Sequence, residues 1–227
     1  MVDVAKLYRN RFSAEEQAAK DRIWQVLVDH FLQRYVPAEA TVLDLACGYG
    51  EFIRHVRARR KLAVDINADS GAHLPSSIEF HLGPATKLDF IADGSVDFCF
   101  TSNFLEHLPS KAVVNEVLAE VHRVLRPGGR FMAMQPNIRY AYKEYWDFYD
   151  HYTALSHLSA AEAFSLAGFE VVELIDRFMP FSTKSALPKH PALVRAYLAF
   201  PPAWRILGKQ FLIVGAKPGP TAATGSA

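Results

Sequence analysis

The stretch from Val42 to Phe52, VLDLACGYGEF, decides how this chain is interpreted. An apolar run with a single acid, Asp44, leads into two small residues and then into Gly48 and Gly50. This order is typical of a buried β-strand that ends in a tight loop. Glycines in such a loop let backbone N–H groups approach a ligand closely. The stretch therefore predicts a ligand-binding loop, although a lone Gly-x-Gly does not identify the ligand.

Strand-like and helix-like segments alternate after this loop. The further strand-like runs are KLAVDI, SIEFHL, VDFCFTS, RFMAMQ, FEVVELIDRF and QFLIVGAK. Helical runs are predicted at about 50–58, 110–125, 159–167 and 190–208, and the RPGG run should end the second of these with a glycine cap. This alternation, with strands rich in Val, Leu and Phe, predicts an α/β fold whose parallel sheet is covered on both faces.

The length of 227 residues suits one domain, which we assign to residues 1–216. Ser13 and Glu16 form a predicted capping box for an amphipathic helix. Pro37 ends that helix, and residues 1–36 are expected to form a helical lid.

Two segments, 136–158 and 179–208, are expected to be insertions on the substrate side of the domain. The second is apolar and basic, and its role is left open between a substrate cover, a homodimer contact and a peripheral membrane contact. Pro201 and Pro202 should break its helix. The tail, 217–227, is rich in Pro, Gly, Ala and Thr and is predicted to be disordered.

Composition excludes some classes of function. The net charge of +1 gives no reason to expect a nucleic-acid partner. Cys47 and Cys99 stand in apolar runs without a CxxC motif, so both are expected to be reduced structural thiols. We find neither a signal peptide nor a transmembrane run, and a cytoplasmic location is the default expectation.

The residues around the loop narrow the choice of ligand. The chain has no GxxxxGK[ST] run for a nucleoside triphosphate. Ile53 stands where a dinucleotide loop would have its third glycine, which argues against NAD and FAD. Asp65 ends the second strand, where an acid accepts hydrogen bonds from a ribose diol. Asp44 adds a negative charge that favours an ammonium or sulfonium over a diphosphate, so the loop suits a cationic adenosyl amino acid.

At this point the chain resembles the class I S-adenosylmethionine-dependent methyltransferases. VLDLACGYG is similar to their first motif, LAVDI to the second, SVDFCFTSNFLEHLP to the fourth-strand motif, and EVHRVLRPGGRFMAMQPN to the helix and strand that follow. The resemblance implies a Rossmann-like three-layer sandwich with a seven-stranded, mostly parallel sheet and an antiparallel last strand. It also implies S-adenosyl-L-methionine as cofactor and methyl transfer as the activity.

Carried over to this chain, the resemblance assigns the cofactor-binding residues. The residues placed around the methionine part are Asp44, Ala46, Cys47, Gly48 and Gly50. Asp65 would hold the ribose with Ile66 against adenine, and Asn103 and Phe104 would line the reactive side of the cofactor.

One position departs from the family pattern. Related proteins often place an acid after the third strand to read the adenine amino group, whereas this chain has Pro84 there. Adenine would then be read by backbone atoms near Ala85 and Thr86, by the Thr86 hydroxyl, or by Asp89.

Candidates for the proton acceptor follow the fourth and fifth strands. His107 and His151 are the predicted catalytic residues, with His157 as a further candidate. Some related quinone methyltransferases place a metal-binding acid three residues before the Glu-His pair. Asn103 holds that position here, so the sequence predicts no metal.

The acceptor is expected to be a small molecule. Aromatic residues in the segment 136–158 would form its wall, and the predicted substrate-binding residues are Tyr140, Tyr145 and Trp146. A weaker similarity of the C-terminal half suggests a sugar or glycolipid of envelope biosynthesis. Two alternatives stay open, an NAD-linked oxidoreductase and a non-catalytic module that binds an adenosyl ligand.

Overall fold

The computed structural model describes residues 14–181 and 190–219. Within them the chain forms one seven-stranded sheet. Its strands are β1 (Thr41–Leu45), β2 (Arg60–Asp65), β3 (Glu79–Leu82), β4 (Val96–Ser102), β5 (Leu125–Pro136), β6 (Glu170–Ile175) and β7 (Gln210–Ala216). Each lies at one of the seven strand-like runs of the sequence.

The strand order is β3-β2-β1-β4-β5-β7-β6. The first five strands pair in parallel, whereas β7 lies between β5 and β6 and is antiparallel to both. The predicted antiparallel last strand is therefore confirmed. The order reverses between β1 and β4, and a crevice at the carboxyl ends of the strands is expected at such a switch point. The VLDLACGYGEF loop begins there.

Helices cover both faces of this sheet. They are α1 (Ala14–His30), α2 (Glu51–His55), α3 (Lys111–Val124), α4 (Ile138–Ala141), α5 (His157–Leu166), α6 (Pro191–Leu198) and α7 (Pro201–Leu207). One core cluster joins the sheet to α3 and α5, and a second joins it to α1, α2, α6 and α7. The three-layer α/β architecture predicted from the alternation is confirmed.

The predicted helix break at Pro201 and Pro202 is confirmed, because the run 190–208 forms two helices and Pro201, which lacks an N–H, is the first residue of α7. One local prediction is wrong. The RPGG run does not cap α3, which ends at Val124, but forms the start of β5. Gly128 there has a φ of +77°, and its N–H donates to the Lys217 carbonyl at 2.8 Å. Sheet pairing thus continues into the first residue of the predicted tail.

The N-terminal helix α1 packs against the helix that follows the glycine loop. Lys20 pairs with Glu51 at 2.7 Å, and Asp21 pairs with both Arg54 and His55 of α2. The predicted capping box lies outside the described residues because it needs Ser13. In the part of the chain that the structure describes, no helix has the length and apolar character needed to cross a membrane.

Candidate cofactor and catalytic site

The loop after β1 has an unusual backbone. Gly48 and Gly50 have φ values of +56° and +80°, and Ala46 has a φ of +57° without being glycine. An L-residue pays a strain energy in this left-handed region, and such residues cluster at functional sites. A Cβ on Gly50 would overlap Leu74 Cδ2, so any other residue here requires the Leu74 side chain to shift as well as adopting the left-handed backbone.

Asp65 at the end of β2 fixes this loop. Its Oδ2 accepts a hydrogen bond from the Gly48 N–H at 2.7 Å, and its Oδ1 accepts one from the Asn67 N–H at 2.8 Å. A carboxylate oxygen has two lone pairs, so both oxygens can still accept from a ligand's hydroxyls. Asp65 is therefore both a turn-holding residue and a candidate ribose acceptor at the switch point.

Asp44 lies beneath the loop and is buried. Burial raises the pKa of Asp44 well above its usual value, and the charges of Glu51 and Asp65 raise it further, against the hydrogen bond from Ile53. Burial also raises the pKa of Asp65. A neighbouring cation stabilises the ionised form of such buried carboxylates more than it stabilises a solvated acid. Burial therefore strengthens the preference for a cationic ligand that the sequence suggested.

The cysteines are free and buried, as predicted. Burial first, and then the nearby carboxylates, raise the pKa of the Cys47 thiol, so it stays protonated. Cys47 therefore lies at the loop as a small neutral group, because a buried thiol with a raised pKa carries little thiolate. Cys99 lies in the core within β4.

The predicted adenine side lies next to Asp65. The Gly83 N–H donates to the Asp65 carbonyl at 2.9 Å, which sets Pro84 and the residues after it beside this acid. Ile66 has 59% of its surface exposed, Ala85 is buried and Thr86 is half-buried. An exposed Ile66 is suited to an apolar ring.

Asp89 is the other candidate for contacting adenine. It is exposed and pairs with Lys87 at 3.3 Å.

Asn103 follows β4 with a φ of +49°. Its Oδ1 accepts a hydrogen bond from Gln210 Nε2 at 2.6 Å. The next residue, Phe104, donates its N–H to Gln135 Oε1 at 2.9 Å. The two glutamines therefore hold the turn after β4 in place, and neither was recognised from the sequence because each stands at or next to the end of an apolar strand.

The turn after β4 continues into a cluster of titratable side chains. His107 Nδ1 lies 2.9 Å from the Asp150 carbonyl and 3.1 Å from Asp150 Oδ2. The His107 and His151 rings meet edge to face with 5.0 Å between centroids. Glu106 lies beside them with 3% of its surface exposed and no hydrogen-bond partner for either carboxylate oxygen. The two predicted catalytic histidines are thus brought together.

Burial raises the pKa of Glu106 to about 7; the charge of His107 acts against this rise, and the charge of Asp150 adds to it. For His107, burial disfavours the imidazolium, but the hydrogen bond and charge of Asp150 and the charge of Glu106 outweigh it and raise the pKa. The sequence pointed to His107 but not to Glu106 or Asp150. Neither acid caps the next helix, since Ser110 is the N-cap of α3.

The predicted substrate-binding aromatics have different surroundings. Tyr145 is fully buried, and its hydroxyl donates to the Thr153 carbonyl at 2.6 Å. Its ring packs against His151, so it supports the cluster from within the core. Trp146 has 59% of its surface exposed. Tyr140 is half-buried and donates its hydroxyl to Asp176 Oδ2 at 3.0 Å.

His157 belongs to another network. Asn137 Nδ2 donates to its Nδ1 at 2.9 Å. Burial lowers the pKa of His157. It therefore lies at the start of α5 as a neutral acceptor, apart from the pair formed by His107 and His151.

Comparison with known proteins agrees with this geometry. Residues 43–133 match the family model described as a methyltransferase domain. A probable S-adenosylmethionine-dependent methyltransferase of Mycolicibacterium smegmatis is 32% identical over 145 residues, 60% of this chain and 54% of that protein. The chain thus spans about half the length of that protein, and it spans 41% of the length of an uncharacterized methyltransferase of Mycobacterium sp..

Solved structures share the fold. An S-adenosylmethionine-dependent methyltransferase from Archaeoglobus fulgidus aligns with a TM-score of 0.65 at 16% identity, covering 87% of this chain and 94% of that one. Geranyl diphosphate C-methyltransferase from Streptomyces coelicolor, solved with Mg²⁺, geranyl diphosphate and S-adenosyl-L-homocysteine, aligns with a TM-score of 0.58 at 14% identity, covering 89% and 80%. In residues 43–133 the chain is thus similar to a methyltransferase domain, and its sheet shares the fold of solved S-adenosylmethionine-dependent methyltransferases.

Proposed function

We propose that this protein transfers a methyl group from S-adenosyl-L-methionine to a small-molecule acceptor. The observation that carries the proposal is the pairing of Asp65 with the Gly48 N–H at the switch point of the sheet, above the buried Asp44. Asp65 would accept hydrogen bonds from the ribose hydroxyls. Asp44, in a site with two other carboxylates, would favour the cationic methionine part of the cofactor.

Two other features of the loop disfavour an NAD-linked oxidoreductase. Ile53 is fully buried in the core below the loop, where a dinucleotide fold would have a glycine beside the pyrophosphate. The two buried acids would also repel a diphosphate. The remaining alternative is a module that binds an adenosyl ligand without turnover.

The chemistry is an in-line displacement. A lone pair of the acceptor forms a bond to the methyl carbon while the carbon–sulfur bond breaks and its electron pair returns to sulfur. The sulfonium becomes the neutral thioether S-adenosyl-L-homocysteine. The chain's task is to hold the two reactants in line and to receive the proton of the acceptor.

We assign proton acceptance to the cluster after β4. His107 is our first choice, because Asp150 orients its ring through Nδ1 and its side chain is 29% exposed. His151 contacts it and is buried. Asn103 and Phe104 follow β4 and precede Glu106 and His107 in the chain, which supports their proposed place beside the cofactor.

The acceptor class is inferred from the aromatic segment. Trp146 and Tyr140 are the proposed substrate contacts, and their neighbours Tyr142, Tyr149 and Tyr152 are also exposed. Flat rings with polar edges suit an organic acceptor such as a sugar or a glycolipid of envelope biosynthesis.

The proposal is tested by following S-adenosyl-L-homocysteine release with a panel of sugar, glycolipid and quinol acceptors. One acceptor should support turnover, and His107→Gln should lower kcat about 100-fold or more while cofactor affinity stays unchanged. His30→Gln, on an exposed surface of α1, is the matched control. Cofactor binding without turnover on any acceptor would favour the binding module instead.

A further inference from the structure

We propose that Glu106, His107 and His151 form a binding site for a divalent transition-series cation such as Zn²⁺ or Co²⁺. One ligand atom from each of the three residues lies within 4.8 Å of the other two. The sequence predicted no metal, because Asn103 stands where some relatives have a ligating acid. The fold instead supplies the third ligand from a separate segment, through His151.

The carboxylate of Glu106 is the first argument for this site. It is 97% buried, and neither of its oxygens has a hydrogen-bond partner in the structure. A buried carboxylate without partners is costly, and proteins keep such a group when a cation or a proton compensates it. The side chains next to it are the two imidazoles, which are metal ligands in their neutral form.

The contact between His107 and Asp150 is the second argument. The Nδ1 edge of His107 faces the Asp150 carboxylate and carbonyl, so a hydrogen bond there leaves Nε2 as the free lone pair. Histidines that bind metals usually donate their other ring nitrogen to a carboxylate or carbonyl in this way. This bond fixes both the tautomer and the direction of the ring.

The cluster is also held rigidly. The N–H groups of Tyr152 and Thr153 both donate to the Glu106 carbonyl, at 2.8 and 3.1 Å. The His151 ring lies against Tyr145 and Phe148, with centroids 4.7 and 4.9 Å away. The two segments that supply the three ligands are therefore tied to each other before any ion arrives.

The ligand set selects the kind of ion. Two imidazoles and one carboxylate suit Zn²⁺, Co²⁺, Fe²⁺ and Mn²⁺, whereas Mg²⁺ and Ca²⁺ prefer oxygen ligands. If the proposed methyl transfer holds, an ion here would bind the acceptor's oxygen and favour its deprotonated form. His107 and His151 would then serve as ligands instead of as the base.

The test is a titration of tag-free, chelator-treated full-length protein with Co²⁺, followed by its visible d–d absorption, with Zn²⁺ competition. The wild type should bind one ion, and Glu106→Gln and His151→Gln should weaken binding at least about tenfold. Asp150→Asn should weaken it by about 10- to 100-fold through loss of the ring-orienting bond. Glu116→Gln and His30→Gln, both exposed, are the matched controls and should bind like the wild type.

Absence of Co²⁺ binding, or equal binding by Glu106→Gln, would overturn the site. S-adenosyl-L-homocysteine binding, measured on every variant, verifies that each is folded. It also separates the two proposals, because failure to bind metal with intact binding of this ligand refutes only the metal site. If the wild type bound neither Co²⁺ nor S-adenosyl-L-homocysteine, the metal site and the proposed methyl transfer would both be refuted.

Discussion

The loop after β1 and the cluster after β4 lie on the same edge of the sheet but are built differently. The loop is defined by backbone, with Gly48 and Gly50 in the left-handed region and Asp65 satisfied by two N–H groups. The cluster is defined by side chains, with Glu106 buried and unpartnered. The Asp65 carboxylate of the loop is thus hydrogen-bonded within the protein, whereas the buried Glu106 carboxylate of the cluster has no hydrogen-bond donor. This contrast suits a fixed cofactor on one side and a variable acceptor or ion on the other.

The largest expected effect is a loss of folding stability when Gly50, in the loop after β1, is replaced. Gly50→Ala adds a Cβ that overlaps Leu74 and must adopt a φ of +80°. Strain and overpacking together should cost about 2–4 kcal/mol of unfolding free energy, measured by urea denaturation. Gly94→Ala is the matched control, since Gly94 has a φ of +62° but a Cβ there would meet only Arg126 Cα, at an ordinary contact distance of 3.8 Å, and should cost about 1–2 kcal/mol. Equal losses would contradict a tightly packed loop.

The next largest effect is a loss of cofactor affinity when Asp65 is replaced. Asp65→Asn keeps an oxygen for one backbone N–H but removes the charge that would bind the ribose hydroxyls. Hydrogen bonds to a charged group contribute about 1.5–3 kcal/mol, so S-adenosyl-L-homocysteine should bind about 10- to 100-fold more weakly by calorimetry. An unchanged Kd would show that Asp65 only holds the turn.

For Asp44→Asn we expect a smaller change in the free energy of unfolding, and a gain of stability where Gly50→Ala causes a loss. The pKa of Asp44 is raised in the folded protein, so folding is favoured at acidic pH, and part of that stability is lost as pH rises above the usual aspartate pKa. The neutral amide removes this loss and should raise stability at neutral pH by about 1 kcal/mol while weakening cofactor binding. Denaturation at mildly acidic and mildly alkaline pH measures it. A variant less stable than wild type only in alkali would reverse the expected sign.

The smallest effect is expected for Asp89, the exposed candidate for contacting adenine. Asp89 is exposed and paired with Lys87, so Asp89→Asn should change cofactor affinity by no more than about twofold. A large loss of affinity in the same calorimetric assay would mean that Asp89 takes over from the acid that Pro84 replaces.

The sequence predicted the loop side better than the cluster side, for a physical reason. Gly48, Gly50 and Asp65 act through local backbone geometry, which short motifs encode directly. Glu106 and His151 meet only because the segment after β5 folds back, and a contact between distant segments leaves no periodic signal.

Packing also decided the predictions that failed. Tyr145 looked like a substrate contact because aromatic clusters suit binding walls, yet the structure buries it beneath His151. The RPGG run looked like a helix cap because of its glycines, yet it pairs with Lys217 at the start of β5. In both cases tertiary contacts override the local preference.

Isothermal titration of the wild type with S-adenosyl-L-methionine, S-adenosyl-L-homocysteine and NAD tests whether the loop after β1 binds an adenosyl amino acid. We expect micromolar binding of both adenosyl ligands, no binding of NAD, and a clear loss of affinity in Asp65→Asn. Binding of NAD, or no binding of either adenosyl ligand, would contradict it.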